Sequence, residues 1–268
     1  MASVTSRERQ AQGWGDGWNF PRVWSVQAEQ AAFAGADRAG RSGWAGQSFV
    51  FGGDGIDSIG PLNLAGVLTA KAVGTIAGVL NWNDLSGTGA QSPLPFTGSY
   101  TVDSTGRVTL TGLTDGSTFN YSMHLILGGG KALLVSSDAN DAFGGEAIPQ
   151  TPTAALAGNF GLNAAVWTMN SLLSELQPES VVGSLAAAFS GTNLNGYADM
   201  GAGTADFAVN GKLTATQSGE LSGTLTGFTP AARGQASHFT LYLVDGTQSV
   251  LIETDNSQRV IGRIANGP

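Results

Sequence analysis

Two histidines, His124 and His238, are all that this chain of 268 residues offers for proton transfer near neutral pH, and it has no cysteine. Imidazole is the side chain whose ordinary titration falls there. Without thiols there is no thiolate nucleophile, disulfide or thiolate metal site. His124 sits in Phe119-Asn120-Tyr121-Ser122-Met123-His124-Leu125, where the apolar residues alternate with Asn120, Ser122 and His124. If the apolar set faces a filled interior, His124 is a surface residue. If the interior is a polar cavity, the assignment inverts and His124 becomes the best catalytic or binding candidate. His238 aligns with Tyr121 rather than His124, so the two histidines form no duplicated site.

The acids give little more. Glycoside chemistry needs two carboxylates projecting into one cleft, and here Asp and Glu fall mainly in turns or on polar strand faces. Asp138-Ala139-Asn140-Asp141, with Glu146 beyond, misses the spacing of a calcium loop and reads as a solvated turn. Asn81, Asn83 and Asp84 read as turn formers whose side chains bond their own backbone. The chain lacks the Gly-x-Ser-x-Gly elbow, the His-Glu-x-x-His pair and the phosphate-binding glycine loop. No catalytic residue, metal site or cofactor is assigned, and the pattern points away from an enzyme.

The elements that would position any site come from a duplication, the first thing to seek in a sequence. Trp44-Ala45-Gly46 opens a unit closing near Gln150, and Leu156-Ala157-Gly158 opens a second that runs to the C-terminus. Ala65-Gly66-Val67-Leu68 is answered by Val182-Gly183-Ser184-Leu185, and Gly74-Thr75 by Gly191-Thr192. Gly98-Ser99-Tyr100-Thr101 matches Gly211-Lys212-Leu213-Thr214, and Thr105 to Thr109 match Ser218 to Ser222. Lys131 to Asp138 match Gln248 to Asp255. The division is therefore an extension over 1–43, one repeat over 44–150 and another over 156–268.

Within each repeat the apolar period is two. Phe96, Gly98, Tyr100 and Val102 alternate with Thr97, Ser99, Thr101 and Asp103, as in a half-buried strand. Turn signals such as Asp103-Ser104-Thr105-Gly106, Gly128-Gly129-Gly130 and Asp245-Gly246 separate such runs, giving about eight strands per repeat. That number of strands joined by tight turns closes most simply as an up-and-down barrel, which also removes sheet edges. The fold class is all-β: two tandem antiparallel meander barrels, with a two-sheet sandwich as competitor. Gly98, Gly112 and Gly223 recur at inward positions and point to a kinked, tightly packed wall. Two short helices are expected outside this pattern. One follows Ser25 over 26–33 in the extension, and one lies in the insertion Trp167 to Pro178, capped by Asn170 or Ser171.

The architecture resembles the calycin class of meander barrels, lipocalins and avidins, although no lipocalin signature is present. In sequence the chain resembles glycine-rich repeats of predicted exported proteins from soil bacteria, Acidobacteria especially. The resemblance is carried by Gly74-Thr75-Ile76-Ala77-Gly78, Asn81-Trp82-Asn83-Asp84, Gly98-Ser99-Tyr100-Thr101-Val102-Asp103, Gly106-Arg107-Val108-Thr109-Leu110, Gly130-Lys131-Ala132-Leu133-Leu134 and Gly145-Glu146-Ala147-Ile148-Pro149-Gln150. The second repeat departs from the pattern: Asp199-Met200 stands near where Asn83-Asp84 would fall, and Glu220 replaces Arg107. The resemblance implies export to the periplasm, cell surface or medium and a barrel fold, and brings no activity with it.

Composition narrows the partners. A net charge of −8 argues against nucleic acid and against anionic membrane surfaces. No apolar run is long enough for a transmembrane helix, and the first nine residues hold no apolar stretch that would make a signal peptide. Three function classes remain. The first is a non-enzymatic, self-associating structural or binding module, in which Trp14, Trp18 and Trp24 of the extension dock on a neighbour. The second is a binder of one small apolar ligand, lined by Trp82, Tyr121 and Met123 with His124 as polar contact. The third is a barrel isomerase or cyclase that shapes an apolar substrate.

Overall fold

A computed structural model describes residues 44–266 except 59, 72–73, 85–92, 117–119, 129, 140, 152–154, 171–174, 188–192, 201–203, 218, 228–235 and 256–258. The extension, with Trp14, Trp18, Trp24 and the helix expected at 26–33, lies outside the described residues. The first repeat forms β1 (Ser48–Ile56), β2 (Pro61–Ala70), β3 (Thr75–Asn83), β4 (Leu94–Val102), β5 (Arg107–Thr114), β6 (Asn120–Gly128), β7 (Lys131–Ser136) and β8 (Ala142–Pro149). The second forms β9 (Gly158–Asn170), β10 (Glu175–Ala187), β11 (Asn193–Met200), β12 (Thr204–Gln217), β13 (Glu220–Thr226), β14 (Ala236–Leu243), β15 (Gln248–Glu253) and β16 (Arg259–Asn266). Each repeat is one closed barrel of antiparallel neighbours, sealed by β1 against β8 and by β9 against β16. The two tandem eight-stranded meander barrels expected from the sequence are the fold, and the described residues contain no helix.

Alternation decides which side chains go inside. In barrel 1, Phe49, Phe51, Leu64, Leu68, Phe96, Leu110 and Met123 join one apolar core. Trp44, just before β1, stacks on Phe49 with ring centroids 4.6 Å apart. Barrel 2 is filled likewise by Phe160, Leu162, Leu185, Leu213, Phe239 and Leu251. Burying each large apolar side chain contributes roughly 1.5–3 kcal/mol, so these filled interiors are the main source of stability.

Close coiling of the wall requires glycine at some inward positions. A β-carbon at Gly223 would fall 2.0 Å from the carbonyl oxygen of Lys212, and one at Gly98 would fall 2.8 Å from Leu113 Cδ2. Gly112 differs from expectation. It is exposed, with φ at +58°, in a bulge where the register of β5 on β6 shifts between Leu110 and Leu113. A bulge adds a residue to one strand, so strict alternation misassigns what lies inside it.

The helix expected between Trp167 and Pro178 is corrected to strand. β9 and β10 are prolonged as a hairpin, with Pro178 opposite Trp167 and Glu175 opposite Asn170. Its connection at 171–174 lies outside the described residues. Pro178 is tolerated because β10 pairs with β11 only from Val181 onward. Before that point β10 has one partner, and a residue without an N–H fits an edge.

Candidate interaction surface

The two barrels meet wall to wall. Val50, Ala65 and Ile148 of barrel 1 form one buried apolar cluster with Tyr242, Val244, Val250, Ile252 and Ile261 of barrel 2. Half-buried Val67 and Val79 pack against it. Apart from Val244, just after β14, these side chains stand on outward strand positions, so the outer face of β1–β3 is covered by the outer face of β14–β16. Gly52 lets the walls close, because a β-carbon there would lie 2.6 Å from Val250 Cγ1.

Polar groups border this cluster. The Tyr242 hydroxyl donates to Asn81 Oδ1 at 2.5 Å, with both groups buried. Asn83 Nδ2 donates to the carbonyls of Glu253 at 3.1 Å and Asp255 at 3.0 Å. Glu146, only 3% exposed, accepts from Lys131 Nζ of its own barrel at 2.5 Å and from Arg263 Nη1 of the other at 3.0 Å. Arg263 also donates to Gln248 Oε1 at 3.3 Å. The connection between barrels is tied down too, with Gln150 Nε2 donating to Leu243 O and Thr151 N to Val244 O, each at 2.8 Å.

Burial shifts two groups at this seam. It pushes the Tyr242 phenol well above its ordinary value, and the nearby charge of Glu220 adds to the rise. Burial lowers Arg259, while Asp84, Glu253 and Asp255 oppose that lowering.

The residues singled out in the sequence do not gather into one polar site. Met123 is 1% exposed within the barrel 1 core, and Trp82 is half-buried against that same core. Tyr121 lies in β6 opposite Leu113, and its side chain is outside what the structure describes. His124 is half-buried on the outer wall, its Nδ1 3.1 Å from Thr109 Oγ1. That outward placement makes His124→Ala a mild change, expected to shift unfolding free energy by at most about 1 kcal/mol. Denaturant unfolding followed by circular dichroism checks it.

His238 is also outward, and register places it at the position of Ser122 rather than Tyr121. The Ser122 N–H donates to Asp138 Oδ2 at 2.6 Å, and the His238 N–H to Asp255 Oδ2 at 2.8 Å. The repeated aspartate is thus a tie between adjacent strands. Asn81 and Asn83 lie within β3 and bond across the seam, which corrects their reading as turn formers. Asp199 occupies the counterpart of Asn81, two positions from the expected alignment. The buried carboxylates Glu146, Glu220 and Glu253 were likewise missed. Among the described residues, no group of three or more acids and histidines is placed to hold a metal ion. No described helix is long and apolar enough to cross a membrane. Compared with known proteins, the chain matches no family model and no curated sequence.

Proposed function

We propose that the protein is a non-enzymatic, exported bacterial module that acts through its barrel walls, as a self-associating structural or binding unit. One observation carries this reading: two copies of one repeat already associate through their outer walls inside a single chain. The filled interiors support it, because the core side chains occupy the space in which a lipocalin-like barrel would hold its ligand. Export and kinship with glycine-rich exported repeats belong to the same proposal and rest on the sequence resemblance.

Size-exclusion chromatography with light scattering, followed by native mass spectrometry, tests the reading. Discrete assemblies without a bound small molecule are expected. A monomer retaining a stoichiometric apolar compound would replace the proposal with ligand carriage. A monomer carrying nothing would remove self-association.

A further inference from the structure

The seam within the chain joins two different faces of the same repeat. Barrel 1 contributes the face centred on β2, while barrel 2 contributes the face centred on β15, whose counterpart in barrel 1 is β7. The counterpart of each seam face is left outside the seam: β6–β7 in barrel 1 and β10–β11 in barrel 2. A contact between unlike faces does not close on itself as a twofold contact does; it repeats until a ring closes or a filament grows.

Those two faces carry most of the apolar exposure. Among the described residues the exposed large apolar side chains are Ile56, Ile126, Val135, Val182 and Tyr197. Ile126 at 39% and Val135 at 46% lie on β6 and β7, and Val182 at 51% and Tyr197 at 63% lie on β10 and β11. They also stand at seam positions. Register places Ile126 and Val135 where Tyr242 and Ile252 stand in barrel 2. It places Val182 and Tyr197 where Ala65 and Val79 stand in barrel 1. Tyr242, Ile252 and Ala65 are each 0% exposed, covered by the other barrel. Arg107, ion-paired with Asp103 of its own barrel at 3.1 Å, stands across from Ile126, and Asp199 stands across from Val182.

We infer that a second copy of this chain docks head to tail, with the β6–β7 face of one copy against the β10–β11 face of the next. The contact repeats between chains the seam that exists within one. This inference rests on the self-association reading and gives it a partner and two surfaces. Faces centred on β2 and β7 lie three strands apart around the closed wall. Successive barrels therefore turn, and the product is a curved filament or a ring.

The test uses the full chain and two double variants, Ile126→Asp/Val135→Asp and Val182→Asp/Tyr197→Asp. Each variant alone is expected to be monomeric by light scattering, with an unchanged β-signature in circular dichroism. Mixed in equal amounts they should form a heterodimer and nothing larger, because one intact face of each kind remains. Assemblies of wild-type size from both variants would overturn the head-to-tail contact and leave self-association standing. Dimers formed by one variant alone would overturn it in favour of like-with-like pairing. A wild-type chain that stays monomeric would remove both.

Cross-linking provides a second measurement that does not depend on the charged variants folding. A β-carbon at position 52 would lie 3.6 Å from that of Val250, within reach of a disulfide. The counterparts of Gly52 and Val250 on the free faces are Asn163 and Leu133. The chain has no native cysteine, so Leu133→Cys/Asn163→Cys in one chain should give a reducible ladder of covalent multimers on oxidation. No ladder, or dimers alone, would overturn the inference.

Discussion

Gly66→Val is expected to cost about 3 kcal/mol or more and to unfold barrel 1 ahead of barrel 2. A β-carbon at Gly66 would fall 2.2 Å from the Val79 carbonyl oxygen and 2.9 Å from Leu80 Cα. These are backbone atoms of the neighbouring strand, so no rotamer change relieves the clash. β2 and β3 must part, and with them the seam, since Ala65, Val67 and Val79 hold their outer faces against barrel 2. Gly144→Ala is the control: the nearest atom to its added carbon is the Leu134 carbonyl oxygen at 3.9 Å, and the change should stay within about 0.5 kcal/mol. Urea unfolding monitored by tryptophan fluorescence separates the two. Equal midpoints for Gly66→Val and wild type would mean that the wall is looser than the strand spacing demands.

The repeat, the strand number and barrel closure were legible because each is written in period two and in turn residues. Phe96, Tyr100 and Met123 fell on the interior side by alternation alone, and the structure buries all three. Alternation fails where geometry departs from it. The bulge turns Gly112 outward, and the prolonged hairpin absorbs Pro178 where a helix stop was expected.

The seam was missed for a different reason. Periodicity tells which residues share a face, but not whether that face meets water or another barrel. A signal was present in the unbroken apolar runs Leu64-Ala65-Gly66-Val67-Leu68 and Val250-Leu251-Ile252. Strands that are apolar on both faces are strands covered on both faces. Asn81 and Asn83, read as turn formers by residue type, alternate with Leu80 and Trp82 and so belonged to the outer face of such a strand.

Tyr242→Phe should lower stability by about 1–3 kcal/mol at neutral pH, because Asn81 Oδ1 loses a buried donor at 2.5 Å. The loss has a pH signature that a packing defect lacks. Burial, and then Glu220, hold the phenol well above its ordinary value, so the fold binds the phenolic proton more tightly than the unfolded chain does. The neutral phenol thus contributes stability that is fully present below the ordinary phenol pKa, near pH 10. As pH rises beyond that value towards the folded one, the contribution falls by about 1.4 kcal/mol per unit. Phenylalanine has no proton to lose, so the gap between wild type and Tyr242→Phe should narrow above about pH 10. Guanidinium unfolding of both proteins from pH 8 to 11 reads this directly. A gap that stays constant across that range would mean that the Tyr242 hydroxyl reaches water, and that the two barrels part more easily than their buried seam implies.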